Sequence, residues 1–96
     1  MQASITIPSN RTAPTAARRW VDEVAHALHP EIQEDLRLVV TELVTNAVKY
    51  GPGEPIHICL HVRPPDGVRG VVIDKGEGSH AIRLRSPGPQ ATGGRG

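Results

Sequence analysis

The stretch LVVTELVTNAVKYG, residues 38–51, decides how the rest of the chain is read. Leu43, Val44 and Ala47, and before them Ile32, Leu36, Val39 and Val40, recur three and four residues apart, which places them on one broad stripe of a helix. Pro30 is a favoured first-turn residue, and Glu31, Glu34 and Asp35 lie near the positive end of the helix dipole. The helix is therefore expected to start near Pro30 and to stop at Tyr50-Gly51-Pro52. At 1.5 Å per residue it is roughly 30 Å long, enough to span a small sheet. Glu42 and Asn46 lie about 40° apart on one flank, beside the apolar stripe, with Asp35 before them and Lys49 after. A carboxylate and an amide held at the margin of a core can take a proton and offer an oxygen to a hard cation. Such polar pairs are also common on solvated helix surfaces, and Asn near a helix end helps to terminate it.

Outward from this helix the pattern changes twice. Upstream, Ser4 to Pro8 alternates with Ile5 and Ile7 on one face, the reading of a short edge strand ended by proline. Asn10 to Pro14 is a turn, and Thr15 to His29 carries Ala17, Trp20, Val21, Val24, Ala27 and Leu28 at helical spacing. Downstream, Ile56, Ile58, Leu60 and Val62 alternate with His57, Cys59, His61 and Arg63, as in a strand covered on one face. Pro64 to Gly67 is turn-forming and VRGVVID returns, so residues 56–74 read as a hairpin. VVIDKGEG, residues 71–78, then runs from β-branched residues into Asp74, Gly76 and Gly78: a strand entering a loop whose backbone can approach a ligand, or a plain turn. Ser86 to Gly96 contains six Gly or Pro in eleven residues, the composition of a flexible linker.

Composition narrows the function classes. With 96 residues the chain forms one small domain, and with no Phe, one Trp and one Tyr its core must come from Val, Leu, Ile and Ala. Eleven basic and ten acidic residues leave a net charge of +1, so neither nucleic acid nor an anionic membrane is the expected partner. A lone Cys59 excludes an internal disulfide, and no long apolar run marks a leader or a membrane span; a cytoplasmic location is the expectation. No P-loop, G-x-S-x-G or cysteine-pair motif occurs.

The combination of E-x-x-x-N on a helix, a hairpin, and D-x-G-x-G after an apolar strand resembles the GHKL ATP-binding fold of gyrase, histidine kinases and bacterial anti-sigma-factor serine kinases. ELVTNAVKYG looks like the N box of the anti-sigma kinase branch, and DKGEG looks like its G1 box. The resemblance covers essentially the whole chain. It implies an α+β fold of Bergerat type, a two-layer α/β sandwich with helices on one face of a mixed sheet, and a single domain over residues 1–96 in which 78–96 form a nucleotide lid or tail. It implies ATP and Mg²⁺ as cofactors. By position, Asn46 would hold Mg²⁺ and Glu42 would be the general base toward a partner's serine or threonine hydroxyl. Asp74 would accept from the adenine amino group, with Gly76 and Gly78 shaping that side of the pocket. Lys49 and loop arginines such as Arg83, Arg85 and Arg95 would be phosphate candidates. TGGRG resembles the start of a G2 box, with Gly94 and Gly96 in place, and there the sequence stops before the helix expected to follow, so the fold is expected to be incomplete at its C-terminus or completed by a partner.

The function implied is that of an anti-sigma-factor-like serine/threonine protein kinase, which binds a sigma factor and phosphorylates an anti-anti-sigma (STAS-type) protein, with a homodimer as a further form. The rivals are a non-catalytic partner-binding module and a truncated remnant. His57, Cys59 and His61 share one face of a strand about 7 Å apart, which suits a solvent face or an interface better than one tetrahedral metal ion.

Overall fold

The computed structural model describes residues 1–76 and 78–85. Strand β1 (Gln2–Ile7) is followed by helices α1 (Ala13–Val24) and α2 (Pro30–Tyr50) and then by strands β2 (Ile56–Arg63), β3 (Gly67–Asp74) and β4 (Gly78–Arg85). The strands form one sheet in the order β1-β2-β3-β4. β1 takes an edge, and Pro8, which cannot donate to a ladder, follows directly after it. Every pairing among the described residues is antiparallel, so the parallel pairing of a mixed sheet is not found there; the short β2–β3 and β3–β4 connections admit only antiparallel neighbours.

Register follows the buried alternation. Ala3, Leu60, Gly70 and Ile82 stand in one row across the sheet, and Ile5, Ile58, Val72 and His80 in the next, all facing the helices. Across from them α2 turns Ile32, Leu36, Val40, Val44 and Ala47 inward, and α1 contributes Ala13, Ala17 and Val21. α2 lies over β3 and β4, α1 lies against β1, and the helices pack on each other. The core is aliphatic, with Trp20 at its margin.

Helix α1 begins two residues earlier and ends sooner than its periodicity predicts. The Asn10 side-chain oxygen accepts the Thr12 N–H at 2.9 Å, and the Ala13 N–H bonds the Asn10 carbonyl at 3.0 Å, so the turn starts the helix with Pro14 in its first turn. At the far end the chain leaves the helix after Val24 while Ala25 and Leu28 stay buried, which is why the apolar spacing outruns the helix. The Gln33 amide donates to the carbonyls of His26 (3.1 Å) and Leu28 (2.9 Å), fastening that turn to the start of α2. Gly78–Arg85, expected to open a lid or tail, is strand β4: its inward residues His80, Ile82 and Leu84 continue the pattern that buries the sheet on α2. Among the described residues no helix is long and apolar enough to cross a membrane.

Candidate functional site

Glu42 and Asn46 are both exposed on the second half of α2, one turn apart on the same flank. Lys49, also exposed, follows in the last turn, with its ammonium 5.3 Å from the centroid of the Tyr50 ring, a cation–π distance. The helix closes where the Gly51 N–H bonds the Ala47 carbonyl at 2.8 Å. The same carbonyl accepts the Ser9 hydroxyl at 3.4 Å, and the Ser9 carbonyl accepts the Gly53 N–H at 2.9 Å. Ser9 is thus buried as a tie between the end of β1 and the end of α2. Nothing in Pro8-Ser9-Asn10 distinguishes this residue from an ordinary turn, so sequence reasoning misses it.

Strand β3 delivers the second group. Val68 and Val72 face the helices, and two residues further the same alternation turns Asp74 inward, 7% exposed, the only buried carboxylate among the described residues. The chain then passes through Lys75 to Gly76, whose backbone lies directly on the end of α2. A Cβ added at Gly76 would stand 2.6 Å from the Tyr50 carbonyl carbon and 2.7 Å from its oxygen. From the other side, a Cβ at Gly51 would come within 3.0 Å of the Gly76 nitrogen. Gly78 opens β4 with φ +96°, a left-handed conformation that favours glycine.

The fold therefore brings ELVTNAVKYG and DKGEG to one end of the sandwich, with two glycines as the point of contact. A buried carboxylate at a strand end, beside bare backbone that no side chain could replace, can accept a hydrogen bond from an amino group brought to that end. An exposed amide oxygen on the adjoining helix is an oxygen donor of the kind Mg²⁺ takes. Gly94, Gly96 and Arg95 lie outside the described residues. Arg83 and Arg85 do not join the site: alternation along β4 turns them to the face of the sheet opposite α2, because Ile82 between them is buried. His57, Cys59 and His61 line that same outer face, and among the described residues no three metal-binding side chains converge. A depression of about 700 Å³ also lies there, lined by residues such as Ser4, Cys59, Val71 and Ala81. It contains no motif residue and no buried polar group, so the chemistry, not the concavity, marks the site.

A family model described as Histidine kinase-like ATPase domain matches residues 7–96. The chain belongs to the histidine kinase-like ATPase family. The match starts at the last residue of β1 and takes in both helices, the three following strands and both motifs. No curated protein and no solved structure matches the chain. As a member of this family the protein is an ATP-binding domain, and its helices on one face of a sheet are the α+β sandwich of that class.

Proposed function

We propose that this histidine kinase-like ATPase domain is a serine/threonine protein kinase of the anti-sigma-factor type, holding Mg-ATP between α2 and the β3–β4 loop and acting on an anti-anti-sigma protein while its other partner is a sigma factor. The observation that carries the reading is the contact of Gly76 with Tyr50 and Gly51, which sets the buried Asp74 carboxylate beside the helix that bears Glu42 and Asn46. Asp74, on the inward face at the end of β3, accepts a hydrogen bond from the adenine amino group. Asn46 offers its amide oxygen to Mg²⁺, and Lys49 adds a positive charge on the same flank. Bound ATP supplies the phosphoryl group to be transferred. Glu42, one turn before Asn46 and open to solvent, can be reached by another protein's hydroxyl and takes its proton as that oxygen becomes the nucleophile. Phosphoryl transfer asks mainly for positioned charge, so these few side chains are a sufficient set at this end of the site.

Calorimetric titration with ATP tests the site. Binding should weaken about tenfold or more for Asp74→Asn with or without Mg²⁺, and for Asn46→Ala only when Mg²⁺ is present. Failure of the folded wild-type chain to bind ATP would overturn the nucleotide site. For the reaction, Glu42→Ala should abolish phosphorylation of an anti-anti-sigma protein while ATP and partner binding stay within about twofold. A wild-type chain that binds its partner and ATP but transfers nothing would make it a non-catalytic module instead.

A further inference from the structure

The arginines that the nucleotide site leaves unused are gathered by the sheet at one end of its outer face. Strand register sets Gln2, His61, Arg69 and Arg83 in one outward row across all four strands, and Arg63, Gly67 and Arg85 in the next. With strands about 4.8 Å apart and outward residues about 6.8 Å apart along each strand, the four arginines spring from backbone positions within about 12 Å of one another. All four are exposed, and among the described residues none has a hydrogen-bond or ion-pair partner for its side chain. Together with Asp66 of the β2–β3 turn they line a depression of about 510 Å³. Asp66 is the one carboxylate there, and no outward strand position holds another.

The next rows are apolar at their centre. Cys59, Val71 and Ala81 stand side by side, and Ile73, 42% exposed, follows on β3. The face is thus basic at the β2–β3 turn and carries beyond it a narrow apolar strip of Cys59, Val71, Ala81 and Ile73, bordered by Ser4, Thr6, His57 and Ser79.

We propose that this outer face docks an acidic amphipathic segment of a partner protein, with carboxylates across Arg63, Arg69, Arg83 and Arg85 and apolar side chains over Val71, Ala81 and Ile73. The planar guanidinium fork matches a carboxylate in bidentate geometry, and four forks without internal partners are complementary to several carboxylates at once. Single-stranded nucleic acid fits less well. It would need aromatic platforms, and the chain's Trp20 and Tyr50 are both on the helices, while the Val71 row would oppose further phosphates. A second copy laid face to face would bring only its own Asp66 to the four arginines, since Asp22, Glu23, Glu31, Glu34, Asp35 and Glu42 all belong to the helices. Nor does the chain carry Asp or Glu anywhere in residues 86–96.

The test is independent of the nucleotide site. The ¹⁵N-labelled chain is titrated with a short synthetic helix of glutamate and leucine at amphipathic spacing, and separately with single-stranded DNA of similar length. Sedimentation velocity of the chain alone accompanies both. The expected result is amide shifts confined to β2–β4 around Arg69, Val71 and Arg83. Affinity should fall by about tenfold or more in R69E/R83E, by less in R69Q/R83Q, and hardly at all in the α1 control R19E, with the spectra confirming that each variant is folded. No shifts on this face, tighter binding of DNA than of the acidic helix, or a dimer that V71D dissociates would each overturn the proposal.

Discussion

Gly76 meets the end of α2 as bare backbone, with Tyr50 carbonyl atoms where a methyl group would have to go. Backbone cannot step aside as a flexible side chain can, so Gly76→Ala should push the β3–β4 loop off the helix. A loss of about 1–3 kcal/mol in urea unfolding is expected. Because Asp74 ends β3 only two residues before Gly76, ATP affinity measured where the variant is still folded should fall as well, whereas a purely structural glycine would leave it unchanged. Asp74 and Gly76 are legible in the sequence, since an acid and glycines at the end of an apolar strand form a local pattern. Ser9 is not: its burial comes from meeting Ala47, 38 residues away, and no local spacing encodes that meeting. Arg83 and Arg85 are a different case, since the sequence shows their charge and the burial of Ile82 between them sets their face.

Among the elements, α2 was predicted from Pro30 to Tyr50 and is found so, because a first-turn proline and a terminal Tyr-Gly-Pro are strong local stops. α1 lacks an equally strong stop. Its apolar spacing continues into a turn held by Gln33, whose amide satisfies the carbonyls of His26 and Leu28 beyond the helix end. Gln33→Ala should lower stability by about 1 kcal/mol, measured as a shift in the thermal midpoint, with ATP affinity unaffected because the turn lies at the opposite end of α2 from Asn46. The hairpin β2–β3 was legible from alternation and its turn residues. β4 was not read as a strand: His80, Ile82 and Leu84 alternate with Ala81, Arg83 and Arg85, but Gly76, Gly78 and Ser79 just before them give its start the composition of a loop, and pairing with β3 supplies the partners.

For the molecule as a whole, stability rests on an aliphatic core between two helices and one face of four strands, with no Phe to concentrate it. Leu60, 1% exposed at the centre of β2, touches that core from the middle of the sheet. Leu60→Ala should cost about 2–5 kcal/mol. Against a total of about 5–15 kcal/mol for a domain, that is enough for a measurable unfolded fraction in mild denaturant and for weakened protection from hydrogen exchange throughout the sheet. The two layers also divide the charge, helices carrying most of the acids and the outer sheet face four arginines, a separation invisible in a net charge of +1. By itself the sequence determined the helix and strand periods, the faces they bury, and the two motifs that carry the family resemblance, because each of these depends on neighbours a few residues away. Tertiary structure alone decided that Gly51 meets Gly76, that Ser9 reaches Ala47, and that arginines from three strands form one cluster. Periodicity dictates which way a side chain points, whereas strand register and helix packing choose what stands opposite it.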